Sequence, residues 1–204
     1  MPKLIVLLAA AALLVAGCGG PSWQEQNIQA GGFRIMMRGD VHYDKNVLDT
    51  PVGKIEAHMY SMELKDSVFG VGYSDYPEQM VQSMAPRRLF MAVRDTWVRR
   101  INGRLQGDGA DIRLEGKHPG MEIVAWGKVK DRDAYLKGRF YLAGNRLYQV
   151  VVFGNRDSMP LADINRFMES FKLIPQREVG RIDIAPTPDT PPLPPPLQSL
   201  KPKQ

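Results

Sequence analysis

The one cysteine of the chain, Cys18, has the most specific chemistry in the sequence. Residues 4–16 form an unbroken apolar run, which is shorter than the roughly 20 residues that cross a bilayer core and fits a secretory signal. Small residues at positions 16 and 17 precede the cysteine, as a lipoprotein signal peptidase requires, and the thiol accepts the diacylglyceryl group. The pattern therefore predicts a bacterial lipoprotein that is cut before Cys18, acylated on that residue and held on a membrane.

A plain signal peptide and an N-terminal membrane anchor with an incidental cysteine are the alternatives to lipidation. Three acyl chains, the usual end state of lipidation, would hold the protein on the membrane essentially permanently, because each buried CH₂ group contributes roughly 0.8 kcal/mol. Gly19 stands where an aspartate is the common inner-membrane retention signal of Gram-negative bacteria. We therefore expect an exported, lipid-anchored protein, on the periplasmic face of the outer membrane if the host is Gram-negative.

The histidines are the obvious candidate metal ligands, but they lie far apart in the sequence, at His42, His58 and His118. None has the spacing of a strong zinc motif such as HExxH or paired CxxC. A site could still assemble from them with nearby carboxylates, namely Asp40, Asp44 and Glu56. The sequence predicts surface histidines and no metal or cofactor, and it leaves metal binding open as an alternative.

The acidic clusters and the glycine pairs contain no catalytic motif. The carboxylates at 108–115 and 131–133 are typical of turns. The glycines at 31–32 and 107–109 lack the strand–helix setting of a phosphate loop. No Gly-x-Ser-x-Gly elbow occurs, and the thiol of Cys18 is assigned to lipid. We expect no catalytic residues, with a hydrolase of unrecognised type as a further possibility.

Five arginines share the polar face of a helix predicted at residues 85–102. They are opposed only by Asp95 and are Arg87, Arg88, Arg94, Arg99 and Arg100. Guanidinium groups favour phosphate and carboxylate, so this face is a candidate contact surface for headgroups, an acidic protein or an anionic polymer. A solvated helix face is the alternative interpretation. The net charge of +5 fits both, and an exported protein gives no reason to expect nucleic acid.

The chain divides into four segments that position these residues. They are a signal peptide at 1–17, a lipidated tether at 18–32, one folded domain at 33–175 and a proline-rich disordered tail at 176–204. Trp23 and Ile28 give the tether two apolar side chains that could dip into the membrane interface or pack on the domain. The tail is expected to be an extended spacer or a ligand for aromatic-lined grooves.

Hydrophobic periodicity predicts seven strands in the domain, at 33–37, 52–62, 68–73, 111–114, 120–129, 134–142 and 146–153. The last of these is almost continuously apolar, which predicts a central strand covered on both faces. The glycine and asparagine at 143–145 predict a tight hairpin turn, and 131–133 predicts another.

Two amphipathic helices complete the pattern. The first carries an apolar stripe of Leu89, Val93, Trp97 and Ile101 and ends at Gly103. The second starts with Ser158 as its N-cap and is predicted to bury Leu161, Ile164, Phe167, Met168 and Phe171. Together the elements predict an α+β domain, an antiparallel sheet of about six to seven strands with helices packed on it.

Five stretches, taken in order, resemble a known group of domains. They are DTPVGKI at 49–55, YSDYP at 73–77, HPGME at 118–122, YLAGNRLYQ at 141–149 and FMESF at 167–171. Together they resemble uncharacterised bacterial domains with the PsbP-like fold, which is shared with the Ran-binding Mog proteins. The resemblance implies an α/β/α sandwich, a sheet flanked by helices, and carries no catalytic residues over.

Proteins with this fold mostly bind or assemble other proteins, and nothing in the chain suggests a photosystem role. We therefore expect a non-enzymatic module that binds or assembles an envelope protein and is anchored to the membrane through Cys18. A lipoprotein that binds a small molecule or a metal ion is the alternative.

Overall fold

The computed structural model describes residues 21–50 and 53–175. The predictions made for Cys18, the signal segment and the proline-rich tail lie outside the described residues. The helices are α1 (Glu78–Ser83), α2 (Pro86–Arg100) and α3 (Leu161–Ser170), and a 3-10 turn spans Arg156–Ser158. The strands are β1 (Trp23–Ile28), β2 (Phe33–Arg38), β3 (His42–Thr50), β4 (Gly53–Leu64), β5 (Ser67–Asp75), β6 (Arg104–Leu105), β7 (Ala110–Leu114), β8 (His118–Val129), β9 (Arg132–Ala143), β10 (Arg146–Asn155) and β11 (Lys172–Leu173). In these described ranges, no helix combines the length and the apolar character that crossing a membrane demands.

One large antiparallel sheet of eight strands dominates the described part of the chain. Its strands lie in the order β3-β4-β5-β10-β9-β8-β6, and β7 pairs with β8 outside that path. The central strand is β10, in which Val150 lies opposite Val71 on one side and Arg139 on the other. Val150, Val151 and Val152 are at most 1% exposed, because layers cover both faces. The predicted central strand is confirmed.

Each face of the large sheet carries its own apolar core. On one face α2 packs against β8 and β9 through Leu89, Phe90 and Trp97. The Trp97 indole also donates a hydrogen bond of 2.8 Å to the side-chain oxygen of Gln149. On the other face, α3 and a smaller sheet with the order β1-β2-β11 share the cover, and Phe33 is completely buried between them and the large sheet.

The structure confirms the α+β class and the antiparallel sheet. The number of strands in the sheet and the elements that cover one of its faces differ from the prediction. Of the seven predicted strands, Phe33–Arg38 lies in the small sheet, and two strands that were not predicted, His42–Thr50 at one edge and Arg104–Leu105, bring the large sheet to eight. The described side chains of β3 are exposed on both faces, so the strand shows no apolar alternation in the sequence. The second face is covered partly by the small sheet, whereas the sandwich prediction placed helices there.

The folded domain begins before residue 33. Residues 23–28, predicted as part of the tether, form β1 and pair antiparallel with β2. Trp23 and Ile28 both pack against the core, and the Trp23 ring meets the Phe69 ring edge to face, with 6.4 Å between centroids. Of the two interpretations of these apolar side chains, packing on the domain is the one that the structure shows.

The start of α3 also differs from the prediction. Pro160 is its N-cap residue, and no side chain caps the helix. Ser158 instead belongs to the preceding 3-10 turn and donates its hydroxyl to Asp66 at 3.3 Å. The helix therefore begins two residues later than a Ser158 N-cap predicts. Leu161 is its first residue and is exposed, whereas Ile164, Phe167 and Met168 are buried as predicted.

Candidate binding surface

The helix that carries the five arginines is held against the sheet along its whole length. Leu89, Phe90 and Trp97 bury its inner side, and the spacing of 3.6 residues per turn then turns the opposite side to solvent. Arg88 and Arg99 lie on this outer side, three turns apart, which corresponds to roughly 16 Å along the helix axis.

Two of the five arginines are engaged within the domain. Arg87 forms an ion pair with Asp111 of β7. Arg94 is only 12% exposed; its Nε lies 2.8 Å from an Asp95 carboxylate oxygen, and its Nη1 donates to the Asp108 carbonyl at 3.3 Å. These contacts tie α2 to the segment that leads into β7. The predicted five-arginine surface is therefore split by the structure.

None of the other three arginines forms an ion pair with a residue that the structure describes. Arg88 makes no ion pair with any described residue, and Arg99 donates only to the Thr96 hydroxyl, at 3.2 Å. The Arg100 guanidinium lies 5.2 Å from the centre of the Trp97 ring, a cation–π contact that orients it without neutralising it. We call Arg88, Arg99 and Arg100 the free arginine surface.

A structural role accounts for part of this arrangement. Arg99 and Arg100 occupy the last turn of α2, where positive charge stabilises the helix dipole. The helix end itself is closed by Asn102, not by Gly103 as predicted, since Asn102 has a φ of 45° and Gly103 does not take the left-handed conformation. Beyond it, the backbone N–H of Lys128 donates to the Ile101 carbonyl at 2.7 Å. This bond places the exposed Lys128, another cationic residue, near the end of the helix. The dipole explains Arg99 and Arg100 but not Arg88, which lies in the first turn.

The histidines are not brought together. His42 starts β3, His58 lies within β4 and His118 starts β8. Among residues 21–50 and 53–175, no group of three or more histidine, cysteine, aspartate or glutamate side chains is placed to hold a metal ion. His58 instead takes part in an aromatic contact that the sequence analysis missed.

That contact is a stack that runs across neighbouring strands. The Arg146 guanidinium lies 4.7 Å from the centre of the Tyr73 ring, and the Tyr73 and His58 rings are parallel with 4.4 Å between centroids. The Tyr43 hydroxyl lies 2.9 Å from Nδ1 of His58. These residues come from β10, β5, β4 and β3, so only the strand order reveals the stack.

Arg146 also joins the small sheet to the large one. It forms two hydrogen bonds of 2.6 Å with the two carboxylate oxygens of Asp75, and these raise the pKa of Arg146 above its ordinary value. Its Nη1 donates to the Ala30 carbonyl at 3.0 Å, and the Tyr148 hydroxyl donates to the Gly31 carbonyl at 2.9 Å. The turn between β1 and β2 is thereby fixed to the sheet, which makes this a structural cluster.

A second half-buried ion pair also has a structural explanation. Arg139 Nε lies 2.6 Å from a Glu122 carboxylate oxygen, and Arg139 Nη1 donates to the Met168 carbonyl near the end of α3 at 3.3 Å. The guanidinium thus holds the carboxyl end of α3 on the sheet.

The described residues also form a cleft of about 470 Å³ beside the turn between β2 and β3. Charged residues of both signs line it, among them Arg38, Asp40, Glu63 and Asp163. The Nε of Arg38 is buried without a hydrogen-bond partner in the described part of the chain. This cleft is the candidate for a small ligand.

Comparison with known proteins identifies the fold. No protein-family model matches the chain, and no curated protein matches it. The solution structure of cyanobacterial PsbP (CyanoP) from Synechocystis sp. PCC 6803 is similar, with a TM-score of 0.52 and 13% identity over 77% of this chain and 95% of that chain. A protein of unknown function from Pseudomonas aeruginosa, PA94, described as a putative regulator, matches with a TM-score of 0.32 and 12% identity over 71% of this chain and 90% of that chain. The domain has a PsbP-like fold.

Proposed function

We propose that the protein is a membrane-anchored lipoprotein of the cell envelope that acts as a non-enzymatic protein-binding or assembly module. The observation that carries the proposal is the free arginine surface, in which three guanidinium groups have no ion-pair partner among the described residues and lie on a helix whose inner side is packed against the sheet. Their partner is an acidic surface of another envelope protein, because guanidinium groups pair with carboxylates in a two-pronged geometry.

The rigidity of α2 supports a binding role. Its inner side is buried, and the Arg87–Asp111 and Arg94–Asp108 contacts hold it from the side. The exposed guanidinium groups are therefore spaced in advance, and little order has to be created on binding. Each exposed ion pair contributes only about 0.2–1 kcal/mol, so the surface would steer and orient the partner more than it would set the affinity.

The anchor would hold the domain close to the membrane. Because β1 begins at Trp23, residues 19–22 separate the proposed lipid on Cys18 from the folded domain. Fully extended, such a segment spans about 14 Å. The module would therefore meet partners at the membrane surface, and the proline-rich tail would be the longer arm.

Capture of partners from the host envelope tests the binding role. Tagged full-length protein is compared with the R88E/R99E/R100E variant and with a control, K117E/R132E/K172E, that makes the same charge change at exposed sites elsewhere. We expect the first variant to lose its partner by about tenfold or more, since several surface pairs become repulsive, and the control to keep it. Equal capture by all three proteins would contradict the proposal.

The anchor has a separate test. The Cys18→Ser variant should accumulate as an unprocessed precursor or leave the membrane fraction. If this variant is processed and fractionates with membranes like the wild-type protein, the lipoprotein assignment is wrong, while the arginine surface stays testable on its own.

The cleft beside Arg38 supports the second candidate function, binding of a small molecule or a metal ion. Its mixed charges and the unpaired Nε of Arg38 favour an anionic or zwitterionic ligand. A thermal-shift series with Zn²⁺, Mn²⁺ and Ca²⁺ and with small phosphates and carboxylates checks it. Binding in the cleft predicts a shift in the wild-type protein that Arg38→Met reduces. The absence of any shift in the wild-type protein at saturating concentration would rule it out.

A further inference from the structure

The strand β3 is an edge strand of the large sheet. Within the described residues it pairs only with β4, and its nine residues lie at the end of the strand order. Tyr43, Val47 and Leu48 are 50%, 55% and 44% exposed. A long edge strand with apolar side chains is a template for pairing with another strand.

The register of the β3–β4 hairpin shows which backbone groups face the open side. The pairing closes with Thr50 opposite Gly53, and the closing pair of a two-residue hairpin exchanges its hydrogen bonds within the hairpin. Alternate residues counted back from there also bond to β4, so the N–H and C=O groups of Lys45, Val47 and Asp49 point to the open edge. A strand added there must bond to these residues.

The sequence of β3 is complementary to itself in one such arrangement. When two copies run antiparallel with Val47 opposite Val47, each Lys45 lies opposite Asp49 of the other copy. Shifting the register by two residues removes this match, because Lys45 then faces Val47 in one direction and Pro51 in the other. A shift of four residues in the first direction places the two Lys45 residues opposite each other. Like charges directly opposite each other are destabilising, whereas opposite charges and apolar pairs stabilise a sheet.

We propose that the protein forms a symmetric dimer in which the β3 strands of two copies pair antiparallel about Val47, joining the two large sheets into one. The pairing supplies about six backbone hydrogen bonds, two for each of the pairs made by Lys45, Val47 and Asp49. Pro51 ends it, since proline has no N–H to donate.

The neighbouring charges fit the same register. Asp49 lies opposite Lys54 within the hairpin, so in the dimer it stands between that lysine and the Lys45 of the other copy. Lys45 forms an ion pair of 2.8 Å with Glu56 and gains Asp49 as a second carboxylate. At the far end of the sheet, β6 has two residues and β7 has five, so neither extends the pairing and the assembly stops at two copies.

Charge reversal tests the register. Sedimentation of the full-length protein in detergent, over a range of protein concentrations, should show a dimer. Lys45→Asp and Asp49→Lys each place like charges opposite each other twice across the symmetry axis, and each should weaken the dimer by about tenfold or more. The double variant K45D/D49K restores opposite charges across the axis and should recover the dimer, although it restores no contact within the hairpin.

Disulfide trapping in the native envelope gives a second readout. In the proposed register the two Val47 Cα atoms lie about 5.5 Å apart, which suits a disulfide, so V47C should be trapped as a covalent dimer. L48C, whose counterpart lies further away, should be trapped more slowly, and the wild-type chain should not be trapped. Any of three results would overturn the proposal: a monomer at all concentrations, single variants that dimerise like the wild type, or a double variant that does not recover the dimer. Trapping of V47C to a different protein and never to a second copy of the chain would overturn it too. None of these outcomes depends on the free arginine surface.

Discussion

Replacing Arg146 by Met should destabilise the domain through the loss of one polar cluster. Its ion pair with Asp75 is partly exposed, with the two side chains 26% and 49% accessible, and such a pair contributes about 1 kcal/mol. The charged hydrogen bond to the Ala30 carbonyl contributes about 1.5 kcal/mol, and the contact with the Tyr73 ring about 0.5–1 kcal/mol. Because these contributions share one side chain and are not additive, we expect a loss of about 2–3 kcal/mol in the free energy of unfolding.

Thermal and urea unfolding measure this loss. For a domain of this size the melting temperature should fall by about 5–10 °C. Arg113→Met is the matched control, since Arg113 is exposed and its one side-chain hydrogen bond to a described residue is that of 3.4 Å to the Lys117 carbonyl. Its effect should stay below about 0.5 kcal/mol. In a double-mutant cycle with Asp75→Asn, the coupling should be about 1 kcal/mol and should decrease in high salt.

If Arg146→Met unfolds within about 0.5 kcal/mol of the wild-type protein, the cluster does not hold the β1–β2 turn on the sheet. A normal loss of stability with no coupling to Asp75 would instead assign the effect to the Ala30 and Tyr73 contacts.

Three further predictions concern stability. Trp23→Ala should cost about 1–2 kcal/mol by urea unfolding, since the ring packs on Phe69, whereas a residue in a free tether would cost nothing. Gly127→Ala should lower the melting temperature sharply, because an added Cβ would lie 2.1 Å from the Ile101 carbonyl oxygen. Gly144→Ala is the comparison: it has open space but a φ of 61°, so it should cost only the backbone strain of about 1–2 kcal/mol. Burial raises the pKa of Tyr148 above its ordinary value of 10, so the folded state favours the neutral phenol. The free energy of unfolding should therefore hold below pH 10 and fall as the pH rises beyond it. Tyr148→Phe should make that alkaline loss shallower, and an unchanged pH profile would contradict the assignment.

The prediction of the fold succeeded where local patterns are strong. The apolar run of β10 and the stripe of Leu89, Trp97 and Ile101 on α2 follow from hydrophobic periodicity, and both are buried as expected. The strands β3 and β1 were missed because their side chains are mostly polar and exposed, so hydrophobic periodicity does not mark them. An edge strand is held by backbone hydrogen bonds to one neighbour, which leave little trace in the side-chain pattern.

The candidate site was predicted only in outline. The sequence places five arginines on one helix, but Arg87 and Arg94 are engaged by Asp111 and Asp108, which lie on a different segment. Helical spacing alone cannot distinguish them from Arg88, because it carries no information about what packs beside the helix.

By itself, the sequence determined the class of the domain, the position of the central strand and the amphipathic helix that presents the arginines. It also contains the pattern on which the lipid anchor at Cys18 is predicted. The tertiary structure decided which arginines form ion pairs within the described residues, that Arg146 contacts both Asp75 and the Ala30 carbonyl, and that β3 lies at the edge of the large sheet. The physical reason is that these features depend on pairing between strands remote in the chain, whereas local periodicity reports only which side of each element is buried.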